Sequence, residues 1–168
     1  LYADSGHSLP RSYGCTMAMM NGGVLSASAK KHTLTATATT HDELIEFSIA
    51  ANRAVGFRNI MSEMGLEQGK ATTIYQDNEA AVQIALNRGS LSNQSRHMER
   101  RILTARNKVE DHKIKPVLCK TDEMNADIGT KALPDRQFAY LRDKMNGYAL
   151  VKRNRPEKKL PSFIQLEK

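Results

Sequence analysis

The chain has 168 residues, a formal net charge of +7 and a pI near 9.5, enough length for one domain whose core buries roughly 70% of its unfolded surface. The basic balance points to an anionic partner, nucleic acid before anything else, although residues 151–168 hold six Lys/Arg against two Glu and so carry more than half of the excess. No run approaches the roughly 18 apolar residues of a membrane span and no signal peptide opens the chain, so neither membrane insertion nor secretion is expected; beginning at Leu1 inside a strand-like run, the chain reads as a piece of something longer.

The first run, Leu1-Tyr2-Ala3-Asp4, is short and apolar and stops at Ser5-Gly6, so Asp4 is expected to close a first strand, with a loop over 7–12. Runs 13–20 and 24–29 read as two strands joined by Asn21-Gly22-Gly23, because Asn and Gly tolerate the positive φ of a tight hairpin. Alternation continues at Leu34, Ala36 and Ala38, so part of 24–38 is expected to pair as one continuous or bent strand. Thr40-His41-Asp42-Glu43 fits a capping box, with Thr40 at the N-cap and Glu43 three residues on. The helix is predicted to run to about Glu63 on a stripe of Leu44, Phe47, Ala51, Ala54, Val55 and Met61, and to stop at Gly65.

Residues 72–87 organise the rest. A β-branched and aromatic run gives way at Asp77-Asn78 to good helix formers, so a strand ends where a helix begins. The carboxyl end of a strand in an open α/β sheet is where catalytic groups collect, and Asp77 stands there, although a helix N-cap is its plainer reading. A second long helix is predicted over 95–111, with Met98, Ile102, Ala105 and Val109 inward. Its cations, Arg96, Arg100, Arg101, Arg106 and Lys108, form either a solvated face or a phosphate-contacting one. Residues 114–119 make the last strand, placed at a sheet edge by Pro116, which has no N–H for a ladder.

Asp127 falls in the first turn of a short helix ending at Pro134, where an acid suits the helix dipole. A final helix over 135–145 carries Phe138, Leu141 and Met145 on its apolar side and closes at Gly147. The expected organisation is a domain over 1–147 and a basic, flexible tail over 148–168. Cys15 and Cys119, without a second Cys or a His at metal spacing, read as buried thiols of a reducing compartment.

This order predicts an α/β domain with a mixed five-stranded sheet, three antiparallel strands and then two parallel, flanked by helices. It puts the strands of Asp4 and Asp77 side by side in parallel, with Glu43 opening the helix between them and Asp127 opening the helix after the last strand. Each acid has a structural role of its own. Four acids from four elements at one sheet edge would nevertheless repel unless cations were bound, and two Mg²⁺ about 4 Å apart, or Mn²⁺, are the usual answer for phosphodiester chemistry.

Several segments carry a family resemblance: Tyr2-Ala3-Asp4-Ser5, Arg11-Ser12-Tyr13-Gly14, Lys30-Lys31, Thr40-His41-Asp42-Glu43-Leu44, Ile74-Tyr75-Gln76-Asp77-Asn78-Glu79-Ala80-Ala81, Ser95-Arg96-His97-Met98-Glu99, and the run from Asn125-Ala126-Asp127 through Thr130-Lys131-Ala132-Leu133-Pro134. Over about residues 1–146 the chain resembles the ribonuclease H domain of copia-type LTR retrotransposon polyproteins. The resemblance implies a ribonuclease H-like fold and cleavage of the RNA strand of RNA–DNA hybrids, beside the reverse transcriptase domain of the same polyprotein. It implies that Asp4 bridges two metal ions, that Asp127 helps hold one and that Glu43 and Asp77 hold the other. Arg96, Arg100, Lys108 and Lys131 are the expected nucleic-acid contacts. The location it implies is the cytoplasmic retrotransposon particle, or the nucleus. The chain departs from the family pattern at Gly6, His7, Ala27 and Leu103, so a nucleic-acid-binding or structural remnant with little turnover is the alternative. An integrase or transposase core is disfavoured by Asp127 with Thr130-Lys131.

Overall fold

The structure, a computed structural model, describes residues 1–6, 12–32, 39–88 and 99–148. The strand run at Leu34, Ala36 and Ala38, most of the loop over 7–12, Arg96, Met98 and the start of the second long helix, and the tail from residue 149 lie outside the described residues.

The sheet grows from a hairpin. Strand β1 (Tyr2–Gly6) pairs antiparallel with β2 (Tyr13–Met20), and β2 with β3 (Gly23–Lys31). The two-residue turn between β2 and β3 has Asn21 at φ 49° and Gly22 at φ 83°, the left-handed pair that suits strand twist and that Asn-Gly adopts at little cost. Strand β4 (Thr72–Gln76) then joins β1 in parallel, and β5 (Ile114–Leu118) joins β4 in parallel, giving the order β3-β2-β1-β4-β5. Pro116 thus sits on an edge strand, as its missing donor requires. Asp4 does not close its strand: β1 runs on to Gly6 because β2 keeps pairing with it, Asp4 against Cys15 and Gly6 against Tyr13.

Helix α1 (Thr39–Glu63) crosses one face of the sheet. Its Phe47, Ala50, Ala51 and Ala54 meet Ala3 of β1, Ile74 of β4 and Ile114 of β5 in the main core, and the alanines let helix and sheet approach closely. Val55 and Met61 of the predicted stripe are only partly buried. The helix ends as expected: Gly65 takes φ 74°, its N–H donates to Ser62 O at 2.9 Å, and Leu66 N–H donates to Met61 O at 2.8 Å, the paired bonds of a Schellman stop. Its start differs: Thr40 lies inside the helix, and the Glu43 side chain is buried, where it accepts from Gln76.

Helices α2 (Glu79–Ala85) and α3 (Glu99–Glu110) complete the layer, Ile102 and Ala105 of α3 being buried. On the opposite face a 3₁₀ turn over Asn125–Gly129 packs on β2, with Met124 and Ala126 against Cys15. A Cβ on Gly129 would stand 2.5 Å from Cys15 Sγ, so only glycine permits that approach. The turn stops at Gly129, short of the predicted Pro134. Helix α4 (Asp135–Met145) follows, with Leu141 buried but Phe138 44% exposed, so its apolar side is narrower than the sequence suggests.

Candidate active site

Parallel strands end at the same sheet edge, and β1 and β4 are neighbours at the centre of this sheet. Asp77 follows the last residue of β4, Asp4 lies beyond the last β1–β4 pair, and α1 enters over the same edge with Glu43 on its first turns. One carboxylate oxygen each from Asp4, Glu43 and Asp77 fall within 4.8 Å of one another. Asp4 and Glu43 are buried and Asp77 half-buried. They line a cleft of about 580 Å³ together with Tyr13, Thr130 and Lys131.

The helix-cap reading of Asp77 fails on geometry. Asn78 is the N-cap, its Oδ1 accepting from Ala81 N–H at 3.0 Å, which leaves the Asp77 carboxylate to the cleft. Glu43 accepts a hydrogen bond from Gln76 Nε2. Gln76 is fully buried, and its Oε1 has no partner among the described residues. Period-2 alternation with buried Ile74 marks Gln76 as inward-facing, a signal present in the sequence but unused.

Burial raises the Glu43 carboxyl to about 8, with the Asp4 charge adding to it. Asp77 is also raised, first by burial and then by Asp4. Carboxylates held this way store repulsion that either protons or a cation relieve. Hard oxygen donors at this spacing suit a divalent cation such as Mg²⁺.

Asp127 is buried and lies outside that 4.8 Å group, yet near enough for the charges of Asp4 and Asp77 to act on it. Lys131 Nζ lies 2.9 Å from Asp127 Oδ1 and 3.4 Å from Asp4 Oδ1, and Thr130 Oγ1 donates to Asp4 Oδ2. Burial pushes the Asp127 carboxyl up to about 6 against the opposing pull of Lys131. Burial alone would lower Lys131, yet its bond to Asp127 and the nearby Asp4 push it up to about 12. Of the other expected contacts, Arg100 is exposed on α3, Lys108 donates to Asn52 Oδ1 of α1, and Arg96 lies outside the described residues.

A second polar cluster, unforeseen from the sequence, lies on the neighbouring side of α1. His32 Nε2 is 3.0 Å from Glu46 Oε2 and its Nδ1 3.5 Å from Asp42 Oδ1. Thr16 Oγ1 donates to Glu46 Oε1, and Ser12 Oγ to Asp42 Oδ2 at 2.5 Å. A Cβ on Gly14 would meet Glu46 Oε2 at 2.0 Å and His32 Nε2 at 2.2 Å, so glycine makes room for the pair. The available signal was Asp42 and Glu46 at i, i+4, two acids on one face of a helix that otherwise reads as core.

The fold is similar to those of several solved structures. Ribonuclease H1 from Halobacterium salinarum superposes with a TM-score of 0.57 at 11% identity, over 77% of this chain and 91% of that one. LC11-RNase H1 in complex with an RNA/DNA hybrid gives 0.58 at 10%, over 77% and 91%. The N-terminal ribonuclease H domain of a Mycobacterium tuberculosis protein, solved as a fusion with maltose binding protein, gives 0.58 at 11%, over 84% and 93%. The chain has the ribonuclease H fold. In sequence this ribonuclease H-like domain is 27% identical over 118 residues to the retrovirus-related Pol polyprotein from transposon TNT 1-94 of Nicotiana tabacum. That match covers 70% of the chain but only 9% of the polyprotein, so the domain spans a small part of its relative's length. Fold and relative together support a ribonuclease H domain of a retrotransposon Pol. No protein-family model matches the chain, and no helix among its described residues is long and apolar enough to cross a membrane.

Proposed function

We propose that this domain is a divalent-metal-dependent endonuclease that cleaves the RNA strand of RNA–DNA hybrids during copia-type retrotransposon reverse transcription. It would work beside the reverse transcriptase domain of the same polyprotein, in the cytoplasmic particle or the nucleus. The observation that carries this reading is the meeting of Asp4, Glu43 and Asp77 within 4.8 Å at the sheet edge of a ribonuclease H fold. Mg²⁺ or Mn²⁺ held there would supply a nucleophilic water at neutral pH and charge stabilisation at the phosphate.

The chain's own residues set the stage for that chemistry. Asp4 is fixed on a central strand with one oxygen held by Thr130, which limits its rotation. Gln76 holds the Glu43 carboxylate toward the cleft. Lys131 offers a cation to an incoming phosphate at the cleft wall, and Arg100 stands exposed on α3 as a further phosphate contact. Discrimination of RNA from DNA would come from 2′-hydroxyl contacts near the scissile phosphate.

The test is hydrolysis of a labelled RNA–DNA hybrid with and without Mg²⁺, with single-stranded RNA and duplex DNA as controls. The expected result is metal-dependent cleavage of the RNA strand of the hybrid alone. Binding without cleavage under all metal conditions would instead favour a remnant that keeps the fold and has lost turnover.

A further inference from the structure

The four acids do not form one uniform site. The oxygens that converge for a cation belong to Asp4, Glu43 and Asp77, whereas Asp127 is joined to Asp4 through the ammonium of Lys131, at 2.9 Å from Asp127 and 3.4 Å from Asp4. A Mg²⁺ shared by the same two carboxylates would need their oxygens at about 2.1 Å. That position overlaps the ammonium, so one cation excludes the other.

Lys131 is built into this place. It stands one helical turn after Asp127, and its backbone N–H donates to Asp127 O at 3.0 Å. The preceding Thr130 hydrogen-bonds Asp4. The whole turn leans on β1 at Gly6, where a Cβ would come within 2.6 Å of Thr130 O. Any residue but glycine at position 6 would push Thr130, and Lys131 with it, away from Asp4.

We infer that Lys131 takes the place of a second divalent cation, so that the domain holds a single ion on Asp4, Glu43 and Asp77 and provides the other positive charge from its own chain. This rests on the nuclease reading above and departs from the two ions that the family resemblance implies. Asp127 then serves to position an ammonium and does not ligate metal. A lysine ammonium is a compact point charge with three donors, so Lys131 can hold both carboxylates and still turn a hydrogen bond toward a phosphate oxygen in the cleft, to which it is 37% exposed.

The experiment is a count of Mn²⁺ bound per chain by equilibrium dialysis for the wild type, Lys131→Met, Lys131→Arg and Asp127→Asn, each checked for folding by circular dichroism. One ion is expected on the wild type and on Lys131→Arg, and two on Lys131→Met, where the Asp4–Asp127 pair has lost its resident cation. Asp127→Asn should bind one ion with an affinity within about threefold of wild type, against the 10-fold or greater loss typical of disturbing a metal's ligand set. Should Lys131→Met fail to fold, this last arm decides. Two ions on the wild type, equal counts on the wild type and Lys131→Met, or a large affinity loss in Asp127→Asn would each overturn the inference while leaving a metal nuclease in place. No ion on the wild type would remove the nuclease reading itself, and this inference with it.

Discussion

Glu43 and Glu46 stand one turn apart on α1, and each is 3% exposed, yet their surroundings are opposites. Glu46 has both oxygens answered inside the fold, one by the Thr16 hydroxyl and one by His32, whose other nitrogen faces Asp42. Glu43 has a neutral amide from Gln76 and looks toward two further carboxylates. A buried charge that is fully paired joins elements, whereas one left among like charges keeps a high affinity for a proton or a metal. The first cluster binds β2 and the end of β3 to α1. The second, held on the same helix, is left open to a cleft.

The contrast breaks most sharply at the open cluster. Asp4→Asn is expected to lower hybrid cleavage by at least about 10³-fold, several kcal/mol of transition-state stabilisation, while the metal-free protein keeps its circular dichroism spectrum. Asp77→Asn should act the same way, because Asn78 already caps α2. Measurable turnover within tenfold of wild type in either variant would return these acids to structural roles.

The paired cluster should respond in stability before activity. His32→Ala removes the imidazole that Glu46 and Asp42 share, and taking one partner out of a buried hydrogen-bonded cluster costs about 1–3 kcal/mol. Gly14→Ala forces a methyl into the same contact at a cost of about 1–3 kcal/mol. Urea unfolding of both variants, with cleavage measured where each remains folded, tests the assignment. Wild-type stability in His32→Ala would mean that the ion pairs contribute nothing net.

Dependence on pH separates the clusters further. Without divalent metal, Glu43 keeps its proton up to about pH 8 in the native state, while the unfolded chain loses it near the ordinary value of 4.5. The native state then holds the extra proton, so stability falls as pH rises across that window, by at most about 1.4 kcal/mol per unit. His32 tends the same way. Burial works to lower its pKa but the bond to Glu46 and the nearby Asp42 raise it overall, so its contribution is complete below 6.5 and is lost as pH climbs through the higher folded value. Thermal melts of Glu43→Gln should lose the Glu43 part of this slope and keep the parts due to His32, Asp77 and Asp127, and added Mg²⁺ should flatten the Glu43 part in wild type. Identical slopes in Glu43→Gln and wild type would contradict the raised carboxyl.

The smallest effect is expected on α3. Lys108 is engaged with Asn52, so Lys108→Ala should hardly change the salt dependence of hybrid binding. Arg100→Ala should reduce the slope of log K against log salt by up to about one unit if it meets a phosphate. A larger change for Lys108 than for Arg100 would reverse that order.

Local chemistry alone determined much of this protein. Asn21-Gly22 specified the hairpin because few other pairs accept two left-handed residues, Gly65 specified the end of α1, and Pro116 specified an edge, each through a backbone constraint that needs no distant partner. The order of elements was enough to predict a mixed sheet, three antiparallel strands and then two parallel, and with it the approach of Asp4 to Asp77. The tertiary structure decided what depends on where side chains turn once elements pack. Thr40 and Glu43 match a capping box letter for letter, but burial of the first turns of α1 carries Glu43 inward, and Asn78 relieves Asp77 of the cap. The division of the acids into an open trio, an Asp127 bridged by Lys131 and a His32-paired couple follows from distances between residues up to 127 positions apart, which no local pattern encodes.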